Sequence, residues 1–262
     1  MTSHPLISAS AGTSGGKGQP PSVHTVLYKS NRRSRRFRTV PCALAQARSD
    51  KSRSATVTVS TFSLASAATL VEGQHYEVLP ERVESRVADD QIEVTEAFWY
   101  GCPHCYNLQG AVENWYETLG DDVTIVHLPA TMGGDWNTHA TVFYAAEELG
   151  IREEAHADIF EAIHENGQRL IDADSIAVFF SDYGVSEDDA RQALNAFAVK
   201  SQVNQAHARM RAMGLMGVPA LVVDGRYLVT PSSAGSLDNM PQIADALVER
   251  VRQEREEQAR EE

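Results

Sequence analysis

The segment FWYGCPHCYNL, residues 98–108, places Cys102 and Cys105 one helical turn apart directly after an apolar run. The third cysteine of the chain, Cys42, lies in a basic N-terminal region. Residues typical of a β-strand precede the pair and residues typical of a helix follow it, so we expect both cysteines at a strand-to-helix turn. Such a pair can bind a metal, form a structural disulfide or exchange disulfides with other thiols.

The residues around the pair favour disulfide exchange. A structural zinc site needs four ligands, usually two Cys-x-x-Cys halves or one half with two histidines, and the sequence has no second half. Covalent haem attachment requires His directly after the second cysteine, where this chain has Tyr106. A structural disulfide across two residues closes a very small loop and removes little entropy from the unfolded chain. Redox exchange is therefore the leading interpretation.

The charge of the chain is divided unevenly. Residues 1–70 carry ten Lys and Arg against one acidic residue, a formal charge of +9, and the remainder carries 13 basic against 35 acidic residues, a formal charge of −22. The acidic remainder argues against nucleic-acid binding, which needs clustered Lys and Arg. Residues 1–70 are rich in Ser, Thr, Gly, Ala and Arg without a regular apolar period, so we expect a disordered or cleaved leader.

Two kinds of targeting signal fit this leader. Its basic stretch is followed by a weakly apolar run at 55–64 and small residues at 65–68, which is the order of an export signal. A segment rich in Ser and Arg and poor in acids is also typical of an organelle transit peptide. We favour export because the following sequence has the features of an exported domain. No window approaches the length of a membrane span, so none is predicted.

From His75 onward the sequence predicts a mixed sheet interrupted by helices. Alternating strands, helix caps and the hairpin pair Asp224-Gly225 support this organisation. One long helix is expected from Ser186 to Met213, and the charged residues 252–262 are expected to fray. The predicted parts are the leader at 1–70, a first sheet part at 71–135, a helical insertion at 136–205, and a second sheet part with a C-terminal helix at 206–262.

Exchange chemistry needs an accessible cysteine whose thiolate is stabilised. Cys102 precedes Pro103, a residue tolerated in the first turn of a helix, so we expect its sulfur at a helix N-terminus. Free N–H groups and the helix dipole stabilise negative charge there, and His104 adds a donor or a positive charge. Cys105, one turn further, is the expected buried resolving thiol. A stable thiolate favours the reduced form and makes the disulfide oxidising.

Several residues outside the pair are candidates that also have an ordinary interpretation. Glu96 is either a solvent-facing strand residue or a buried carboxylate that moves protons or tunes the thiol. Pro219, which follows Val218, is a candidate cis proline although cis bonds are uncommon. Trp99 and Tyr100 form either an apolar rim for a bound peptide or part of the core. The same two interpretations apply to Trp136, Met213, Leu215 and Met216.

Three segments resemble one known family: FWYGCPHCY at 98–106, LPATMGGDWN at 128–137 and GVPALVVDGRY at 217–227. They look like the DsbA family of exported thiol:disulfide oxidoreductases of Gram-negative bacteria, in particular its pseudomonad-like branch. The resemblance extends from about Val71 to Val251. Cys-Pro-His-Cys combined with Val before the proline is specific, because related reductases and isomerases usually carry other central dipeptides.

The resemblance implies an α/β structure, a thioredoxin fold with an inserted helical domain, in which the two sheet parts form the thioredoxin domain. Cys102 is then the nucleophilic cysteine that forms mixed disulfides, and Cys105 is its resolving partner. Pro219 matches the family's cis proline, and Val218 beside it sets the oxidant character and offers backbone hydrogen bonds to substrate. We expect a substrate-binding set of Pro103, Val218, Pro219 and Trp99.

The resemblance also extends to the acidic residue before the pair. Glu96 matches the family's buried acidic residue six positions before the first cysteine. The better-known enteric enzymes carry a lysine where a gapless match gives Val126, so we expect the charges around Glu96 to differ from theirs.

The function that follows is a periplasmic protein dithiol oxidase, which donates the Cys102–Cys105 disulfide to reduced exported proteins through a mixed disulfide at Cys102. We expect no metal and no cofactor other than this disulfide. The family implies reoxidation by a DsbB-type membrane quinone reductase, and we expect a monomer. The rivals are an isomerase or reductase, which would need a dimerisation domain or a reducing partner, and a peptide-binding or chaperone-like module.

Overall fold

A computed structural model describes residues 70–261, so residues 1–69 of the predicted leader, with Cys42, lie outside the described residues. The strands are β1 (Glu77–Val78), β2 (Ile92–Phe98), β3 (Val123–Pro129), β4 (Ala220–Val223) and β5 (Tyr227–Val229). The helices are α1 (Pro103–Tyr116), α2 (Asp135–Glu148), α3 (Arg152–His164), α4 (Ala173–Ser181), α5 (Glu187–Asn195), α6 (Phe197–Ala212), α7 (Pro231–Ala234) and α8 (Asn239–Glu261).

The five strands form one mixed sheet in the order β1-β5-β4-β2-β3. β2 pairs in parallel with β3 and antiparallel with β4, and every residue of β2 is buried. Burial of the whole strand, including the polar residues Glu93, Thr95 and Glu96, is typical of a strand covered on both faces. The strand that leads to the cysteines is therefore paired on both sides. This pairing fixes the direction in which the chain enters the turn that holds Cys102 and Cys105, called the redox turn below.

Each face of the sheet has its own core. On one face α1 and α8 pack against the sheet through residues such as Leu108, Val94 and Leu247. On the other face the helices between β3 and β4 pack around residues that include Phe98 and Phe160. The helical insertion thus lies directly behind the end of β2, where the cysteines follow.

The predicted long helix from Ser186 to Met213 is wrong, because the chain breaks into α5 and α6 at Ala196. The backbone of Ala196 is extended, with φ −59° and ψ 141°. The break lets α5 pack against α2 and α4 while α6 packs against α2 and β3, and one straight helix could not bury apolar residues against both sets. The predicted boundary between residues 205 and 206 falls inside α6, which continues from the insertion toward the sheet.

The C-terminal segment also differs from its prediction, because α8 remains helical to Glu261 instead of fraying after Val251. Two arginines of this segment bind the body of the protein. Arg252 donates to both carboxylate oxygens of Asp122 at 2.7 and 2.8 Å, and Arg255 donates to Asp224 at 3.0 Å. These ion pairs hold the charged end of the helix against the sheet.

The predicted hairpin turn is present between β4 and β5. Asp224 and Gly225 have φ values of 54° and 61°, and the N–H of Arg226 donates to the carbonyl of Val223 at 3.0 Å. Strand pairing starts between Val223 and Tyr227, so three residues are unpaired instead of the two expected. A Cβ on Gly225 would lie 2.1 Å from the Val83 carbonyl oxygen, so both the left-handed backbone and the close approach require glycine.

Candidate active site

The redox turn is built by the end of β2 and the start of α1. Cys102 is the N-cap residue of α1, with φ −92° and ψ 115°, and Pro103 occupies the first helical turn as predicted. The N–H of Cys102 donates to the carbonyl of Trp99 at 2.9 Å, and its Sγ accepts the N–H of Cys105 at 3.4 Å. Both thiols are free, so the structure describes the dithiol form.

The two thiols have opposite electrostatic environments. The hydrogen bond from the Cys105 thiol, with backbone N–H groups of Cys105 and His104, outweighs burial and lowers the pKa of Cys102 to about 6. Burial raises the pKa of Cys105 well above its ordinary value, and the nearby Cys102 sulfur acts in the same direction. Near neutral pH the turn therefore holds one thiolate, at Cys102, and one thiol, at Cys105.

His104 lies exposed between the two cysteines. Besides its backbone N–H, the charge of its side chain lowers the pKa of Cys102. The predicted contribution of His104 to thiolate stability thus has two physical sources, one of which any residue at this position would supply.

The predicted cis proline, Pro219, lies with Val218 in a loop before β4, and this proline loop contacts the redox turn. The Val218–Pro219 peptide bond is cis, as predicted, and the Sγ of Cys102 lies 3.8 Å from the carbonyl oxygen of Val218. Val218 is half-buried and Pro219 is buried. Two segments separated by more than a hundred residues in sequence therefore meet at the Cys102 sulfur.

An aromatic stack borders the redox turn. The rings of Trp99 and Trp136 lie 4.1 Å apart at 11°, and His139 continues the stack at 5.9 Å from Trp99. A Cβ on Gly101 would lie 2.4 Å from the ring of Trp99, so glycine allows the indole to fold over the turn. Trp99 is half-buried and joins the turn to α2.

Two residues considered for a peptide surface are core residues instead. Tyr100 has no exposed surface, its hydroxyl lies 2.7 Å from Nδ1 of His156, and its carbonyl accepts a bond from Nε2 of His164 at 2.8 Å. Met213 is also buried. Both residues therefore take the core interpretation: Tyr100 packs against α3, and Met213 belongs to the core on the same face of the sheet.

Glu96 is a buried carboxylate, as the resemblance implied. Its Oε2 accepts a hydrogen bond from the Tyr116 hydroxyl at 2.8 Å, and its Oε1 accepts one from Nε2 of Gln109 at 3.4 Å. Burial raises the pKa of Glu96 to about 7, although the bond from Tyr116 opposes the shift. Its charge also contributes to the high pKa of Cys105. Glu96 is thus coupled to the buried thiol and titrates near neutral pH.

His127 is a residue of this environment that sequence reasoning missed. Its Nε2 lies 3.4 Å from Oε2 of Glu96, because the parallel register pairs Glu96 on β2 with His127 on β3. Val126, the position matched to the enteric lysine, pairs with Thr95 instead. The titratable neighbour of Glu96 on β3 is therefore a histidine. Only the strand register, had it been assigned, could have identified it from sequence.

A groove of about 610 Å³ lies beside the proline loop, between residues 131–133, α6 and residues 215–216. Leu215 and Met216 both line it; Met216 is 91% exposed, in line with a surface residue, whereas Leu215 is buried at its edge. Met132 and His207 also line it, and sequence reasoning singled out neither of them.

Within residues 70–261 no group of three or more His, Cys, Asp or Glu side chains is arranged to hold a metal ion. In the same residues no helix combines the length and apolar character needed to cross a membrane.

Comparison with known proteins identifies the same chemistry. The family model of the DSBA-like thioredoxin domain matches residues 112–248. The thiol:disulfide interchange protein DsbA of Azotobacter vinelandii is 38% identical over 180 residues, covering 69% of this chain and 84% of the relative. DsbA of Pseudomonas syringae pv. tomato is 37% identical over the same shares.

Solved structures agree with the sequence comparison. DsbA of Pseudomonas aeruginosa superposes with a TM-score of 0.68 at 36% identity, covering 72% of this chain and 98% of that one. DsbA of Xylella fastidiosa superposes with a TM-score of 0.66 at 34% identity, covering 70% and 98%. The predicted thioredoxin fold with inserted helices is therefore confirmed. This chain belongs to the DsbA family, in its pseudomonad-like branch, and is a thiol:disulfide oxidoreductase.

Proposed function

We propose that this oxidoreductase is a periplasmic dithiol oxidase that donates a Cys102–Cys105 disulfide to reduced exported proteins. The observation that carries the direction of transfer is the position of the Cys102 sulfur at the N-terminus of α1, where it accepts the N–H of Cys105 at 3.4 Å. Stabilisation of that thiolate favours the reduced enzyme, so the disulfide form readily gives up its oxidising equivalents.

The exchange has two steps. A substrate thiolate attacks Sγ of Cys102, a substrate–Cys102 disulfide forms, and the sulfur of Cys105 leaves as a thiolate that takes up a proton. A second substrate thiolate then attacks the substrate sulfur of the mixed disulfide. The substrate disulfide forms, and Cys102 leaves as its stabilised thiolate. Two electrons pass from the substrate dithiol to the enzyme disulfide.

We assign Cys102 and Cys105 as the reacting groups and His104 as a residue that stabilises the Cys102 thiolate. Glu96, whose pKa of about 7 suits proton transfer, is proposed as the group that exchanges a proton with Cys105.

The substrate site is proposed to run along Val218 and Pro219, with Pro103 and Trp99 on its border. The Val218 carbonyl lies 3.8 Å from Sγ of Cys102, so a peptide backbone paired with Val218 would bring its cysteine to the reacting sulfur. The residues 136–205 are proposed as the helical insertion domain, and 71–135 with 206–262 as the thioredoxin domain.

The proposal has three further parts. A DsbB-type membrane quinone reductase reoxidises the enzyme, the enzyme is a monomer, and residues 1–70 are a leader that is cleaved. N-terminal sequencing of the protein recovered from its native cell tests export. A chain recovered from the cytosol with Met1 intact would contradict the periplasmic location.

The decisive experiment mixes the oxidised chain with a reduced peptide that holds two cysteines and follows peptide disulfide formation. We expect the native chain and a Cys42→Ser control to oxidise the peptide, and Cys102→Ser to be inactive. Cys105→Ser has no disulfide to donate and should leave this peptide reduced. Given instead a one-cysteine peptide in mixed disulfide with glutathione, its Cys102 thiolate should displace glutathione and keep the peptide bound, because the variant lacks the thiol that would release it. A native chain that leaves the peptide reduced would overturn the proposal.

The redox potential separates the oxidase from its rivals. Equilibration with glutathione should give a potential well above that of cytosolic thioredoxins, which lies near about −270 mV. A value near that of thioredoxins would indicate a reductase. Substrate binding without any trapped disulfide in Cys105→Ser would indicate a peptide-binding module.

A further inference from the structure

Glu96 is sealed from solvent by its neighbours. Its side chain is 2% exposed, and the side chains in contact with its carboxyl come from α1 and β3. Any proton that this carboxyl gives to Cys105, or takes from it, must be exchanged with water through one of those side chains.

His127 is placed to make that connection. Its Nε2 lies 3.4 Å from Oε2 of Glu96, while 21% of the His127 side chain is exposed. The imidazole therefore contacts the buried carboxyl with one edge and reaches solvent elsewhere.

We propose that His127 is a positioning residue that carries protons between solvent and the Glu96 carboxyl during each redox cycle. The proposal rests on the proposed function, because Glu96 needs a proton path only if the Cys102–Cys105 disulfide is broken and formed again in each turnover. It adds to that function a residue for which no role follows from the cysteine motif or the proline loop.

The steps balance as follows. When the Cys102–Cys105 bond breaks, Cys105 leaves with the electron pair and takes a proton from the Glu96 carboxylic acid. The carboxylate regains a proton from Nε2 of His127, while Nδ1 of the same ring accepts one from water. During reoxidation the direction reverses, and the proton of Cys105 leaves through Glu96 and His127 before its thiolate attacks Cys102. No oxidant beyond the one that reoxidises the enzyme is needed.

The surroundings of His127 keep its ring neutral. Burial, with the charge of Arg152 on α3, lowers the pKa of His127 to about 3. The ring of His156, also on α3, lies 5.3 Å away, and apolar rings of Phe98 and Phe143 cover other edges. A neutral imidazole has one donor and one acceptor nitrogen, which is what a relay requires.

The groups on α1 that face this pair are less suited to the same task. The Tyr116 hydroxyl donates to Glu96, and burial raises its pKa well above the ordinary value, so it stays protonated. Gln109 is an amide that does not titrate, and Glu113 acts only by its charge, which raises the pKa of Glu96.

The test resolves the step in which Cys105 closes the disulfide. The reduced chain is mixed with excess oxidised glutathione, which forms a mixed disulfide at Cys102, and the following intramolecular closure is timed. We expect His127→Ala to slow closure about tenfold, less than the roughly 10²–10⁴-fold of a direct general acid or base, because His127 acts through Glu96. Added imidazole should restore the rate, because the truncated side chain leaves an opening to solvent. Val126→Ala, whose strand partner is Thr95, should close at the native rate.

His127→Gln separates a relay from a structural role. It fills similar space and donates to Glu96, but an amide does not pass protons, so closure should stay slow. Native closure in His127→Gln or His127→Ala would overturn the proposal, as would a slow His127→Ala that imidazole does not restore. If Tyr116→Phe slowed disulfide closure as much as His127→Ala does, the proton path would run through Tyr116 instead. The double variant His127→Ala with Glu96→Gln should not respond to imidazole.

The two proposals fail in different ways. If the native chain does not oxidise the dithiol peptide, the proposed function fails whatever His127 does. If the native chain oxidises it and the His127 variants close normally, only the proton path is rejected.

Discussion

At the scale of single residues, the sulfur of Cys102 links the pH of the solution to the stability of the reduced protein. Its pKa falls from an ordinary value of 9.0 to about 6 on folding. A lowered pKa stabilises the folded state fully above pH 9, loses that contribution as the pH falls from 9 to 6, and contributes nothing below 6.

The free energy of unfolding of the reduced native chain should therefore depend on pH differently from that of reduced Cys102→Ser, which has no thiolate at this position. We expect the stability advantage of the native chain to grow by about 1.4 kcal/mol between pH 5 and pH 7, equivalent to one unit of pKa. Urea unfolding at several pH values measures it, and the ultraviolet absorbance of the thiolate should titrate near pH 6. A difference that does not vary with pH would show that the helix N-terminus leaves the Cys102 thiol unstabilised.

Glu96 produces the opposite dependence, because its pKa is raised from 4.5 to about 7. The neutral carboxyl is tolerated at low pH, and ionisation destabilises the fold as the pH rises through 7. We expect Glu96→Gln to gain about 3 kcal/mol of stability relative to the native chain between pH 4 and pH 8.

Thermal or urea unfolding of reduced chains checks this prediction. Glu117→Gln is the matched control, since it removes an exposed carboxylate at the C-terminal end of α1 and should change stability by less than about 0.5 kcal/mol at either pH. Equal effects of Glu96→Gln at pH 4 and pH 8 would mean that the carboxyl does not ionise in this range.

The residues of the redox turn could be predicted because their roles depend on local chemistry. The spacing of the cysteines and Pro103 places Cys102 at a helix N-terminus whatever the rest of the chain does. His127 could not be predicted in the same way, because its meeting with Glu96 depends on the register between two strands. The sequence leaves Tyr100 open between rim and core for a related reason: its burial depends on helices that follow about fifty residues later.

At the scale of elements, the break at Ala196 shows where packing overrides local propensity. The segment has no proline or glycine to stop a helix, so nothing in its residue types interrupts the predicted one. The apolar residues on either side pack against different neighbours, and the extended backbone of Ala196 turns the chain between them. The hairpin turn at Asp224-Gly225, by contrast, could be predicted because it depends on two adjacent residues.

The break predicts that Phe197→Pro is tolerated. Phe197 is the first residue of α6 and is 87% exposed, and the extended Ala196 before it is compatible with a following proline. We expect a stability change within about 1 kcal/mol of the native chain, measured by urea unfolding. Val203→Pro, in the middle of α6, is the control and should cost about 3 kcal/mol or more. A comparable loss in Phe197→Pro would indicate a continuous helix.

At the scale of the whole molecule, a buried ion pair joins α6 to the sheet. Arg209 on α6 pairs with Glu93 on β2, and Nη1 of Arg209 also donates to the Glu84 carbonyl at 3.0 Å. Glu93 further accepts the N–H of Arg86 at 2.7 Å and the hydroxyl of Thr95 at 2.5 Å. The pair thus connects α6, β2 and the segment before β2, and it sets the position of α6 beside the groove. Sequence could not pair these residues, which are separated by more than a hundred positions.

Because both charges are buried, removing either partner alone should cost far more than removing the pair. We expect Arg209→Met to lose about 3–5 kcal/mol of stability, since it leaves the Glu93 carboxylate without its counter-charge. The double variant Arg209→Met with Glu93→Gln should recover much of that loss, because the neutral amide keeps an acceptor for Arg86 and Thr95.

Arg169→Met, which breaks an exposed pair with Asp135 at 3.0 Å, is the control and should cost less than about 1 kcal/mol. Urea unfolding of the native chain, Arg209→Met, Glu93→Gln and the double variant completes a double-mutant cycle. Losses that simply add in the double variant would show that Arg209 and Glu93 act independently, and that packing alone holds α6 on the sheet.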